Sequence, residues 1–380
     1  MAERVAEGTW VELHRDRLEH NLRLLRELAG GQALWPAIKA NAYGHGAELV
    51  TRTLMELGCD TLCVAHAAEA VELLESDVRA TFVVMSASLP EQAEAFVEHG
   101  LEPVVCTLEG VEALARAAER AGRQVAVHAA VDTGMGRIGP PPGEVRSFLE
   151  RCRSHSGIRV RGLMSHFPRA DEADKSFSRA QVEAFREVCE ATRDLGVEVR
   201  HLANSAGILD LPESRFDAAR PGISLYGLAP SATIQNPRVH ELRPALEWKT
   251  RITFLKEVGA GVGLSYGHSF RTARPSLVAT VPVGYGDGLS RSLSNRFEVL
   301  AGGTRCPQVG TITMDQSLVD VTPLRGRVAL GDEIVLIGRQ GDASVTADEL
   351  AAVLGTINYE IVCAFSPRLP RRFIRDGLDG

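Results

Sequence analysis

Lysine is scarce in this chain. Its 380 residues include only Lys39, Lys175, Lys249 and Lys256, and arginine supplies most of the positive charge. An excess of positive charge is missing too. The net charge of −7 gives no reason to expect nucleic acid as a partner. No apolar run approaches the length of a membrane span, so no membrane partner is expected. The opening MAERVAEGTW is charged and lacks the apolar stretch of a signal peptide. A cytoplasmic protein is the expectation. The seven cysteines are odd in number and irregular in spacing. Cys59 and Cys63 have no second pair to complete a zinc site, so no metal is expected. Free thiols, mostly buried, in a reducing compartment are the simpler reading. Internal repeats and low-complexity tracts are also missing.

What is present describes an ordinary soluble protein, 44% hydrophobic and 24% charged. The length predicts two domains. From Leu34 onward, eight apolar runs begin near Leu34, Thr61, Thr81, Glu102, Val125, Val160, Val197 and Phe216. Most are followed by a helical stretch, such as Ala47 to Leu57 or the alanine-rich Leu108 to Ala121. That alternation predicts parallel strands with crossover helices. Its size suits a (β/α)8 TIM-like barrel, with a doubly wound open sheet as the alternative. Near Asn236-Pro237 the helical pattern gives way to short runs punctuated by glycine and proline. The division predicted is a barrel region over residues 1–237 and a mainly β C-terminal domain over 238–380, with one helix near Ala347 to Leu354.

The stretch Leu34 to Gly46, LWPAIKANAYGHG, starts as a buried strand and ends in a polar turn. Lys39 sits at the junction, after Ala37-Ile38, so its stem should be at least partly buried. Burial disfavours an ammonium ion, and a neutral amine is what Schiff-base chemistry needs. The other three lysines lie in polar contexts that predict solvated surface. In a barrel the active site lies at the C-terminal ends of the strands, which is where Lys39 falls.

Lys39 through Gly46 resembles the pyridoxal-phosphate lysine motif of the alanine racemases. Further blocks resemble the same family in the same order, so that with the first motif they run from residue 34 to residue 360: VDTGMGRIG, SHF, RHLANSAG, ARPGISLYG, GLSYG, VGYGDG, TMDQ and INYE. The resemblance implies pyridoxal 5′-phosphate as cofactor, alanine as substrate and a homodimer with composite sites. It implies racemisation that supplies D-alanine for peptidoglycan. Lys39 would bind the cofactor and act as one base, and Tyr266 of the partner subunit would act as the other. Tyr43, Asn204, Ser205, Gly222, Ile223 and Tyr359 would lie around the phosphate. For Ser205, a helix cap and a phosphate contact suit the sequence equally; the resemblance favours phosphate. Arg220 would face the pyridine nitrogen, with His201 bonded to it and His166 beside the catalytic tyrosine. Arg137 and the Met314 N–H would hold the substrate carboxylate; Tyr285 and Asp315 would complete the substrate side.

Arg220 carries a chemical argument of its own. An arginine does not give up its proton near neutrality. A pyridine nitrogen facing it stays unprotonated and is a weaker electron sink than a pyridinium. That disfavours transamination and favours returning a proton to the α-carbon. The chain departs from the family at Ala130, where the family often has a carbamylated lysine bracing the arginine matched by Arg137. Serine or a wider range of amino acids remains open as substrate. A pyridoxal-phosphate carrier, a decarboxylase relative and a racemase-like sensor are the rival classes.

Overall fold

The computed structural model describes residues 8–375. The first few residues of the charged opening stretch, which bear on the signal-peptide expectation, lie outside them. Two compact units emerge. One comprises Leu18–Ala42 and Gly46–Arg243; the other holds, of the described residues, 8–17, the short piece Tyr43–His45, and 244–375.

The first unit is built on eight parallel strands. Their order in the sheet is Ala33–Leu34, Ala218–Ala219, Val199–His201, Ile158–Met164, Val125–Ala130, Glu102–Val105, Thr81–Val84 and Thr61–Val64. The two ends of this path meet through a parallel bridge between Ala37 and Cys63. There the Cys63 N–H donates to the Pro36 carbonyl and the Ile38 N–H to the Cys63 carbonyl, each at 2.8 Å. The barrel is thereby joined around its circumference. All eight predicted runs supply a strand, and the open sheet is set aside.

The crossover helices follow from local signals. Leu108–Ala121 starts where Thr107 Oγ1 accepts from the Gly110 N–H, and it ends at Gly122, whose φ of 61° is the left-handed conformation favoured by glycine. Between those signals, Val111, Leu114, Ala115 and Ala118 recur at helical spacing and are all buried. Fully burying a side chain such as Leu114 contributes about 1.5–3 kcal/mol.

The second unit is mainly β. Its largest sheet runs Thr304–Pro307, Glu298–Ala301, Glu333–Gln340, Leu246–Arg251, Thr9–His14, Arg371–Ile374. Thr9–His14 pairs antiparallel with Leu246–Arg251 and parallel with Arg371–Ile374. The start of the described chain therefore goes with the second unit, not with the barrel region to which position in sequence assigned it. Such pairing across more than 230 residues leaves no local trace. A three-stranded sheet, Phe254–Val258, Ser276–Val281 and Ser317–Asp320, and the predicted helix Ala347–Leu354 complete the unit's main elements. A further short helix, Asn358–Cys363, was not foreseen.

Candidate functional site

The barrel unit gathers its predicted residues at the C-terminal ends of its strands. Lys39 follows the Ala37 bridge. Arg137 lies in the loop after Val125–Ala130, His166 follows Ile158–Met164, His201 ends Val199–His201, and Arg220 follows Ala218–Ala219. Lys39 is partly buried. It opens a turn in which Ala40, Asn41, Ala42 and Tyr43 all have φ between 52° and 54°. Each such residue costs about 1–2 kcal/mol in a left-handed turn, and none of them is glycine. The surroundings hold the turn. The Ala40 N–H donates to Glu69 Oε1 at 2.6 Å, and Asn41 Oδ1 accepts from the Ala47 N–H at 2.7 Å. A polar turn is expected here, but neither its left-handed conformation nor Glu69 is evident from the sequence.

Arg220 is 4% exposed. Its Nη1 donates to His201 Nδ1 at 2.6 Å. Its Nη2 donates to the Ser165 carbonyl at 2.7 Å, the Leu202 carbonyl at 3.2 Å and His166 Nδ1 at 3.3 Å. Every one of these partners is neutral. Burial pulls Arg220 down to about 10, which leaves it cationic at neutral pH. His166 is pushed well below its ordinary value by burial and then by the charges of Arg220, Arg137 and Lys39. His201 is depressed in the same way, by burial first and Arg220 second. Both imidazoles are neutral at pH 7.

Asn204, not Ser205, caps the helix Ser205–Asp210: its Oδ1 accepts from the Gly207 N–H at 3.0 Å. Ser205 Oγ instead accepts from the N–H groups of Gly222, at 2.8 Å, and Ser224, at 3.3 Å. Ser205, Gly222 and Ile223 thus lie together between two strand ends. Arg137 is exposed and has no hydrogen bond or ion pair among the described residues. Ala130 is buried, and its methyl lies 3.1 Å from where a Cβ on Gly139 would sit.

The remaining predicted residues belong to the second unit. Tyr43 and Tyr359 stand with ring centroids 6.2 Å apart. Tyr266 is 74% exposed, on a turn fixed where Thr311 Oγ1 donates to its carbonyl at 2.8 Å. Tyr285 and Met314 lie on adjoining loops: the Tyr285 N–H donates to the Thr313 carbonyl at 3.0 Å, and the Gly286 N–H to the Met314 carbonyl at 2.9 Å. A Cβ on Gly284 would fall 2.1 Å from the Thr313 carbonyl oxygen, so this approach requires glycine. Arg368 ties the loops together. It pairs with Asp287 at 2.7 Å and Asp315 at 2.9 Å, and it donates to the Met314 carbonyl at 3.3 Å. Arg368 was missed because one arginine in an arginine-rich chain carries no signal.

Two expectations about lysine fail. Lys175 is 4% exposed, not solvated. It pairs with Asp210 at 2.7 Å and donates to the Ala170 carbonyl at 2.8 Å. Lys249 is largely buried against Glu12, Glu247 and Glu333. Carboxylates distant in sequence make these sites habitable, which a polar local context does not reveal. None of the seven cysteines is in a disulfide, and Cys363 is exposed. Among the described residues no helix is long and apolar enough to cross a membrane.

Comparison with known proteins covers both units. Residues 13–230 match the family model "Alanine racemase, N-terminal domain", and residues 245–373 match "Alanine racemase, C-terminal domain". An alanine racemase of Halothermothrix orenii is 42% identical over 376 residues, 98% of each chain. One of Clostridium novyi is 39% identical over 373 residues, 97% of this chain and 96% of that one. Among solved structures, an alanine racemase of Clostridium difficile 630 superposes with a TM-score of 0.93 at 34% identity, covering 98% of this chain and 97% of that chain.

Proposed function

The chain belongs to the alanine racemase family, and from that premise we propose that it interconverts L- and D-alanine as a pyridoxal-phosphate-dependent homodimer. The observation that carries the proposal is Arg220, a buried cation at the barrel's C-terminal end whose hydrogen-bond partners are all neutral. Beside it, Lys39 and Arg137 add positive charge around His166 with no carboxylate among the influences on that ring. This donor set fits an anionic phosphate ester with a basic pyridine nitrogen, and it fits a carboxylate substrate. Lys39, Tyr43, Asn204, Ser205, Gly222, Ile223 and Tyr359 would hold the cofactor, with His166, His201 and Arg220 along its ring.

When bound, the cofactor draws electron density from the substrate's α-carbon and so acidifies its proton. The chain's residues do the rest. The Lys39 amine removes or returns the α-proton on one face. Tyr266 of the partner subunit serves the opposite face; its 74% exposure supports a role outside its own subunit. His166 accepts from Arg220 at Nδ1 and is neutral, so its proton sits on Nε2. Arg220 keeps its proton and would leave a pyridine nitrogen facing it without one. Arg137 and the Met314 N–H hold the substrate carboxylate, Tyr285 flanks the entrance, and Asp315 steadies the Met314 loop through Arg368. A cytoplasmic location belongs to the same proposal and is supported by seven cysteines of which none is in a disulfide.

The test is a racemisation assay on purified protein with added cofactor, run across alanine, serine and larger amino acids. Alanine should turn over fastest in both directions. Cofactor bound without alanine turnover would favour a carrier or sensor, and faster serine turnover would reassign the substrate.

A further inference from the structure

Arg220 is the last member of a longer chain of contacts. His201 Nε2 lies 2.9 Å from His128 Nδ1, and His128 Nε2 lies 2.9 Å from Glu102 Oε2. Arg161 Nη1 in turn donates to Glu102 Oε2. Both imidazoles have 0% exposure, and Glu102 has 8%. Glu102 opens its strand, His128 is mid-strand, His201 ends its strand and Arg220 follows one. The contacts therefore climb the barrel interior from the N-terminal face to the C-terminal face.

The ends of this chain dictate its protons. Arginine only donates, and an ionised carboxylate only accepts. Arg220 donates to His201 Nδ1, so His201 carries its proton on Nε2 and passes it toward His128 Nδ1. His128 then carries its proton on Nε2 and donates to Glu102. Burial works against the Glu102 charge, but the His128 hydrogen bond and the Arg161 charge hold it below the usual carboxylate range. The barrel is shaped for this arrangement. Trp35 meets both imidazoles edge-on, at 5.6 and 4.9 Å, and Arg161 lies over its ring at 5.4 Å. A Cβ on Gly162 would fall 1.9 Å from His128 Nδ1.

We propose that Glu102, at the barrel's far end, is a positioning residue for Arg220, acting through the locked tautomers of His128 and His201. His201 is the one partner of Nη1 among the described residues, whereas Nη2 has three. Loss of the lock frees the guanidinium to pivot about Nη2. The consequence for catalysis rests on the racemase reading; the tautomer lock does not.

The experiment pairs nitrogen-15 NMR of the histidines in the cofactor-bound protein with racemisation kinetics for Glu102→Gln and Glu102→Leu. Gln keeps an acceptor and removes the charge; Leu keeps bulk and removes the acceptor. Wild type and Glu102→Gln should show His128 and His201 as single Nε2–H tautomers that do not titrate between pH 6 and 8. Glu102→Leu should show mixed tautomers and lose about tenfold in kcat with little change in KM, since a buried donor is left without an acceptor. A circular-dichroism melt confirms folding. If Leu fails to fold, Gly162→Ala, which displaces the His128 ring, takes its place with the same expected signals. Unchanged tautomers and kcat in folded Glu102→Leu would overturn the proposal, as would equal damage from Gln and Leu, which would indicate a role of charge alone. Intact tautomers in a wild-type protein without racemase activity would leave the lock standing and count against the racemase reading instead.

Discussion

In the barrel unit Arg220 and His201 have 4% and 0% exposure, whereas in the second unit Tyr266 has 74% and Met314 52%. The barrel orients its polar side chains by mutual hydrogen bonds, with Arg220 alone making four. The second unit orients backbone instead. Thr311 fixes the Tyr266 carbonyl and Arg368 fixes the Met314 carbonyl, while the side chains face outward. The difference suits a division of labour. A buried network fixes charge and tautomer before any ligand arrives. Exposed tyrosine and methionine on steady loops make a surface for another molecule to cover. The barrel's groups should therefore fail when altered singly, and those of the second unit should be rescuable by a second subunit.

The largest effect should come from the barrel side. Lys39→Ala should remove the cofactor's visible absorption in the purified protein and lower racemisation by about 10⁴-fold or more. An absorbing species that survives on another lysine would overturn the assignment, and absorption spectra with peptide mapping decide it.

Next comes the exposed side. Tyr266→Phe should keep the bound cofactor but lower racemisation by about 10²–10⁴-fold, unequally in the two directions. Mixed with Lys39→Ala protein, it should regain part of the lost activity, because a heterodimer has one intact composite site. No recovery after subunit exchange, confirmed by native mass spectrometry, would place Tyr266 within its own chain and collapse the contrast between the units.

The same contrast decides what sequence could show. Strands were legible because burial on both faces writes apolar runs such as TLCVA and TFVVM, and each of the eight strands overlaps one of them. Lys39 and Arg220 were legible because each sits in a distinctive local block. The residues behind them were not. Glu102 and His128 are single polar residues inside apolar runs, and only closure of the barrel brings them to His201. The left-handed turn at Ala40–Tyr43 contains no glycine to announce it. Lys175 looked solvated because its partner, Asp210, is 35 residues away. Local pattern reports the burial of apolar runs, and contact order hides the partnerships that bury a charge.

A third test concerns the buried network as a whole. Burial depresses His128, His166 and His201 from their ordinary 6.5. The unfolded chain binds protons that the folded chain refuses. Stability from these groups is therefore fully present above pH 6.5 and is lost as pH falls toward the folded values. The slope is up to about 1.4 kcal/mol per pH unit for each histidine. Urea unfolding at pH 7.5, 6.5 and 5.5 should show a midpoint that falls at the acid end. A midpoint flat from pH 7.5 to 5.5 would mean the imidazoles are not held neutral.

The smallest expected effect belongs to Arg137, the barrel residue that breaks the pattern. It is exposed and has no hydrogen bond or ion pair among the described residues, unlike Arg220. The Ala130 methyl cannot carry a carbamate or accept a hydrogen bond, and it packs close to Gly139. Bicarbonate should therefore leave activity unchanged. If Arg137 holds the substrate carboxylate, weaker preorganisation should appear as a raised KM more than a lowered kcat. The measurement is alanine racemisation in carbon-dioxide-depleted buffer, with and without bicarbonate, at fixed pH and ionic strength. A saturable rise with bicarbonate would show a carbamate forming on another lysine and defeat this account of Ala130. A saturable rise with chloride alone would assign the bracing role to a bound anion. Arg137 would then be a residue oriented by a bound ion where Arg220 is oriented by neighbouring side chains and carbonyls.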